Sequence, residues 1–239
     1  RAVVTIDAPF PDADDEATVV PRPAATVMLL RDGSGGPEVF VLRRASSMAF
    51  APGMVAFPGG GVDRRDADTS VAWSGPPPSW WASRFGCSVE LATALVCAAV
   101  RETFEESGVL FAGATDDSII DDTTGDDWEE DRRALEAREL SFTEFLQRRG
   151  LRLRTDLLRV WGSWLTPVFE PRRYRTTFFV AELPAGQVTR DVSTESDKVL
   201  WMPVREAIRA VDEQQMLMLP PTYCTCLEIF EYGVPADVL

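Results

Sequence analysis

The segment Arg101-Glu102-Thr103-Phe104-Glu105-Glu106-Ser107-Gly108-Val109 constrains this chain more than any other. Its glutamates fall at relative positions 0, 3 and 4, which is one face of an α-helix over a single turn. Carboxylates crowded that closely repel one another unless a cation lies among them. Hard divalent cations such as Mg²⁺ take oxygen ligands of this kind and keep waters that substrate phosphates can replace. An acidic helix face is more often simply solvated. Here an arginine precedes the triplet and a glycine closes it, and the segment reads as a metal-binding helix suited to phosphate chemistry.

The surrounding residues set the helix's limits. Ser88 is a suitable N-cap, Gly108 a suitable left-handed stop, and the helix is expected over Ser88–Ser107. Val96, Cys97, Val100 and Phe104 share one side, with the glutamates roughly opposite, so one stripe should be buried and another presented. Upstream, 24–30 and 38–42 read as a hairpin across the turn at 32–37. Met54 to Phe57 leads into Pro58-Gly59-Gly60-Gly61, a loop where backbone can approach a ligand closely. Residues 64–86 read as an irregular surface insertion, and its Trp80 and Trp81 more often plug such a segment onto a core than stack on a base. An acidic, turn-rich stretch over 112–127 precedes one or two helices over 128–149. Strands are expected at 160–165, 176–181 and 199–202, and helices at 203–211 and 222–232. The organisation expected is an acidic arm over 1–20 and a single domain over 21–239, with insertions at about 64–87 and 112–150.

Composition removes several chemistries. The chain of 239 residues has no histidine, so a Ser-His pair, a Cys-His pair and a His-liganded zinc are excluded. A general base must come from Asp, Glu, Tyr, Cys, Lys or water. The net charge of −14 argues against nucleic acid and anionic membranes as partners. No apolar run is long enough to span a bilayer. The four cysteines have no CxxC spacing and read as free thiols. With an N-terminus that lacks a signal-peptide layout, a cytoplasmic location is the expectation.

The order Arg-Glu-apolar-x-Glu-Glu-x-Gly-apolar, kept here except for Thr103 at an apolar position, resembles the second half of the Nudix box. Phe57-Pro58-Gly59-Gly60 resembles the entry to the first half. In the usual box that glycine lies fourteen residues before the arginine, with a glutamate between them. Here Gly60 and Arg101 are much further apart, so roughly twenty-seven residues are inserted within the box. The early glutamate has no clear counterpart: Asp66, six after Gly60, precedes the insertion, and Glu90 follows it. The interruption resembles a Nudix subgroup similar to the peroxisomal coenzyme A diphosphatase. Arg44-Ala45, Gly53 and Phe57-Pro58-Gly59-Gly60 keep the spacing of a signature found in coenzyme A-cleaving members, with Ala49 where that signature has an arginine.

The resemblance implies an α/β fold, a Nudix-type α/β/α sandwich with a mixed sheet and helical insertions. It implies Mg²⁺ or Mn²⁺ held by Glu102, Glu105, Glu106 and a carbonyl of Gly59 or Gly60, with Arg101 fixing a glutamate through a charge-assisted pair. Glu195 is a further candidate for ligand or base. Arg43, Arg44, Arg172, Arg173 and Arg175 are candidate phosphate contacts. The expected substrate is a nucleoside diphosphate linked to another moiety, coenzyme A or acyl-CoA foremost, with ADP-ribose and nucleotide sugars next. A binding module without turnover is the alternative. Family members are often dimers, so a homodimer is a further expectation.

Overall fold

The computed structural model describes residues 19–48 and 51–232. The expected acidic arm, beyond Val19 and Val20, and the signature position Ala49 lie outside them. Strands β1 (Arg22–Gly33) and β2 (Gly36–Arg44) form the expected hairpin, with Leu30 opposite Val39 and Gly33 opposite Gly36. Strand β3 (Val55–Ala56) adds to β2, and β4 (Gly59–Gly61) adds to the first part of β1. The glycine-rich segment is therefore a short strand rather than a loop. A 3-10 turn (Arg64–Ala67), β5 (Trp73–Ser74) and helix α1 (Pro78–Phe85) follow, and then helix α2 (Val89–Ser107). After α2 come β6 (Ala112–Gly113), α3 (Asp126–Glu136), α4 (Phe142–Arg149) and β7 (Arg152–Arg154). The chain then adds β8 (Arg159–Leu165), β9 (Tyr174–Glu182), β10 (Ser196–Pro203), α5 (Val204–Asp212) and α6 (Pro220–Phe230).

The main sheet runs β10-β2-β1-β9-β8. It is mixed, because β1 and β9 are parallel while the other neighbours are antiparallel. Alternation along β1 splits the core in two. Ala25, Val27 and Leu29 join α1, α2 and α4 on one face, whereas Met28 and Leu30 join α5 and α6 on the other. The result is the expected α/β/α sandwich.

Helix α2 has the expected ends. The Ser88 hydroxyl accepts the Leu91 N–H, and Gly108 closes the helix at φ +76°. Its burial differs from expectation. Residues 92–100 and 103–107 are all buried, the acidic side included. The sheet covers one side, and α1, α3 and the 64–67 turn cover the rest. The insertions explain this enclosure. Trp81 is 1% exposed, packed on Phe85 and Phe179, with its indole N–H on the Pro76 carbonyl. Trp80 stays 47% exposed. Downstream, Phe104 stacks on Phe145 of α4 at 5.3 Å. A small sheet in the order β5-β7-β6 joins the two inserted regions, and strands of two or three residues are too short to leave a periodic signal in sequence.

Candidate active site

Arg101 organises the site. Its guanidinium makes a bidentate pair with Asp66, Nε to Oδ1 and Nη2 to Oδ2, both at 3.0 Å. Its Nη1 also reaches Glu102 at 2.9 Å and Glu105 at 3.1 Å, and its Nη2 donates to the Gly61 carbonyl at 3.1 Å. One buried cation thus ties α2 to β4 and to the 64–67 turn. Asp66 stands where the early acid was missing, and the insertion begins after it. A capping box holds it in place: the Asp63 carboxylate accepts the Arg65 N–H, and the Asp66 carboxylate accepts the Asp63 N–H. The signal was the six-residue spacing from Gly60. Glu90 is exposed in the first turn of α2, at the opposite end from the glutamate cluster.

The glycine strand is fitted to the glutamates. The Gly59 N–H donates to Glu106 at 2.7 Å. A Cβ on Gly60 would stand 2.6 Å from the carboxylate atoms of Glu102, and one on Gly59 would stand 2.5 Å from the Ala25 carbonyl oxygen. Only glycine permits both approaches. On the far side, buried Arg132 of α3 donates to the Glu105 carbonyl at 2.8 Å and pairs with Glu129 and Glu136. Glu136 also accepts from the N–H and hydroxyl of Thr194, and the Glu195 carbonyl accepts the Ala45 N–H at 2.9 Å. These contacts fix the loop that brings Glu195 to the same cleft as the helix glutamates. Neither Arg132 nor its contact with Glu105 is legible in the sequence, since nothing in the pair Arg132-Arg133 of an acidic helix marks one of the two for burial.

Burial dominates the electrostatics. It pushes the Glu102 carboxyl up to about 7, against the pull of Arg101. It raises Glu106 well above the usual range, with neighbouring Glu102 adding to it and the Gly59 N–H opposing. Glu105 and Asp66 are raised by burial too, with Arg101 opposing. Three of these four carboxylates share the Arg101 guanidinium and the fourth, Glu106, has only the Gly59 N–H, and an oxygen-only set with excess negative charge is what a hard divalent cation satisfies. The donor chemistry therefore fits a hard divalent cation. Among the described residues no ready-made convergence of three or more acidic, cysteine or histidine ligands is present, consistent with Arg101 and Gly59 drawing the carboxylates in different directions.

A cleft of about 620 Å³ lies over this cluster, within the usual range for ligand pockets. Glu102, Glu105, Glu106, Arg101, Asp66 and Glu195 all line it. None of the arginines expected to meet phosphate is among the lining residues. Arg43 pairs with Asp197 at 2.7 Å on the exposed β2–β10 edge. Arg173 is buried, with its guanidinium donating to the carbonyls of Thr166 and Val19. Arg172 and Arg175 are exposed outside the cleft. Arg44 lies outside the lining but near enough to favour ionised Glu106. The cleft instead draws Arg22, Arg64, Arg65 and Arg138, together with half-buried Tyr174. These come from segments far apart in sequence, so no motif links them.

The family model described as the NUDT19 Nudix domain matches residues 81–228. The chain is similar to a crystal structure of a NUDIX hydrolase from Alicyclobacillus acidocaldarius, with 30% identity, a TM-score of 0.79, and coverage of 93% of this chain and 96% of that one. Among curated proteins, it is 26% identical to an acyl-coenzyme A diphosphatase NUDT19 of Xenopus laevis, over 78% of this chain and 58% of that protein. It is 28% identical to the acyl-coenzyme A diphosphatase NUDT19 of Gallus gallus, over 84% of this chain and 66% of that protein. The chain thus spans less than two thirds of the length of either.

Proposed function

The chain belongs to the NUDT19 Nudix domain family, and from that membership we propose that it is a divalent-metal-dependent diphosphatase whose substrate is coenzyme A or an acyl derivative. The observation that carries this reading is the Asp66–Arg101–Glu102/Glu105 network set beneath a ligand-sized cleft. The curated relatives, named as acyl-coenzyme A diphosphatases, support the choice of substrate. Water would add across the P–O–P anhydride, giving 3′-phospho-AMP and phosphopantetheine.

Glu102, Glu105, Glu106 and a carbonyl of Gly59 or Gly60 would hold the cation. When bound, it would offset diphosphate charge and make an attacking water more acidic. The protein's own groups set the rest. Arg101 restrains the carboxyl ends of Glu102 and Glu105 beside the cleft, so fewer arrangements are open to them when the cation binds. The Gly59 N–H turns Glu106 toward β4. Glu195, which faces the same cleft and is not among the residues assigned to the cation, is the candidate acceptor of the water's proton. The alternative of binding without turnover rests on the interrupted box and the missing early glutamate; Asp66 supplies an acid paired to Arg101 for the second, and the interruption is left to the turnover test below.

The test is a panel of coenzyme A, acetyl-CoA, ADP-ribose and a nucleotide sugar, incubated with Mg²⁺ or Mn²⁺, with products identified by mass. Coenzyme A or its acyl derivative should be cut at the diphosphate, and Glu105→Gln should slow this by about a hundredfold. Absence of diphosphate cleavage by the wild type, or an undiminished Glu105→Gln variant, contradicts the reading.

A further inference from the structure

The side chains of Arg22, Arg64 and Arg138 line the cleft and have no hydrogen-bond or ion-pair partner among the described residues. Arg65, next to Arg64, is taken up by Asp63 and by the Arg138 carbonyl. Two hydrogen bonds tie the segments that carry the three residues to one turn. Arg65 Nη1 donates to the Arg138 carbonyl at 3.1 Å, which ties the α3–α4 connection to the turn carrying Arg64 and Asp66. The Val62 N–H donates to the Pro23 carbonyl at 3.1 Å, which sets the start of β1 beside the same turn.

Arg138 also stands in an unfavourable conformation. The chain closes α1, α2 and α4 with a left-handed glycine, Gly86 at φ +66°, Gly108 at +76° and Gly150 at +63°, and α5 with left-handed Gln214 at +59°. After α3 the left-handed position is Arg138, at φ +60°. The Glu139 N–H bonds back to the Ala134 carbonyl and the Arg138 N–H to the Leu135 carbonyl, which is the ordinary glycine-favouring helix end. The left-handed conformation holds the Arg138 backbone in place at the cleft lining, where its side chain has no partner among the described residues.

We propose that Arg138, Arg64 and Arg22 form an anion subsite for a phosphate monoester on the substrate, separate from the diphosphate that is cut. The proposal rests on the diphosphatase reading and deepens it. Coenzyme A has such a group on its ribose, whereas ADP-ribose and nucleotide sugars do not. Guanidinium forks suit a doubly charged phosphate, and in a chain of net charge −14 cations of the cleft lining with no partner among the described residues also offset the repulsion an anionic ligand meets.

The test compares coenzyme A with dephospho-coenzyme A, which differ only in that monoester. Calorimetry without divalent ion reads binding apart from turnover. Wild type should bind coenzyme A about tenfold or more tightly than dephospho-coenzyme A. Arg138→Gly should shrink that ratio about tenfold while the melting temperature holds or rises, because glycine relieves the left-handed strain. Arg64→Gln should shrink the ratio in the same direction. An unchanged ratio in both variants, or no preference in wild type, overturns the subsite. Turnover with Mg²⁺ separates this from the wider reading. If the binding preference is present but neither compound is cut, the diphosphatase reading falls and the subsite stands. If both are cut and Arg138→Gly leaves their kcat/KM ratio unaltered, the subsite falls and the diphosphatase reading stands.

Discussion

At the scale of single residues, the site depends on one buried guanidinium with several acidic partners. Arg101 is held charged because Glu102, Asp66 and Glu105 together outweigh the cost of burying it. Removing one partner leaves donors without acceptors, which is costlier than the partner's own contribution. Asp66→Asn should therefore lower unfolding free energy by roughly 1–3 kcal/mol in urea titrations. It should also reduce turnover by roughly 10- to 100-fold, since the acid positions groups that hold the cation without holding it directly. An Asp66→Asn variant as active as wild type removes the positioning role. The same residue shows where sequence stopped being legible. Its distance from Gly60 is correct, but whether the insertion falls before or after it is decided by the fold. The structure ends the first half of the box at the 64–67 turn and sends the extra residues into β5 and α1.

At the scale of elements, β4 against β1 and α2 is the fitted joint, and its two glycines have different duties. Gly59 abuts backbone, the Ala25 carbonyl and Thr26. Backbone cannot yield cheaply, and Gly59→Ala should destabilise by about 1–3 kcal/mol in chemical or thermal unfolding. Gly60 abuts the far end of the Glu102 side chain, which can swing away. Gly60→Ala should keep most of the stability but weaken Mn²⁺ binding by calorimetry, because Glu102 is displaced from its pair with Arg101. Equal stability losses in the two variants would contradict this division. Elements with strong local signals were readable: α2 had its cap, its stop and its periodic apolar face, and the β1–β2 hairpin had its turn. What the sequence did not disclose was burial of the acidic face. That depends on α3 and α4 packing over α2, and an acidic stretch before two amphipathic helices reads as a solvated appendage. Arg132 reverses that impression, because its charge is satisfied at the Glu105 carbonyl as well as by acids of its own helix.

At the scale of the whole molecule, the site leaves a mark on stability against pH. An unfolded Glu102 titrates near its ordinary 4.5, and in the fold burial moves it to about 7. Between those values the folded protein keeps a proton that the unfolded chain has released, so its contribution falls as pH rises through that window. Glu129 runs the other way. Hydrogen bonding to Arg132, with Arg190 and Arg133 nearby, holds it at about 2, so its contribution is present above 4.5 and lost as pH falls toward 2. Urea unfolding without divalent ions should show both limbs, with Glu102→Gln flattening the decline from 4.5 to 7 and Glu129→Gln flattening the acid loss. Saturating Mg²⁺ should flatten the former limb as well, since the ion favours the ionised carboxylates that burial penalises. Metal-dependent cleavage at the α2 carboxylates is tested most directly by the rate of coenzyme A cleavage as Mg²⁺ is titrated, in wild type and in Glu102→Gln, with both products identified. Wild type should show a saturable rise to 3′-phospho-AMP and phosphopantetheine, and the variant a loss of about a hundredfold. Cleavage that ignores divalent ions, or a Glu102→Gln protein that matches wild type, would contradict it.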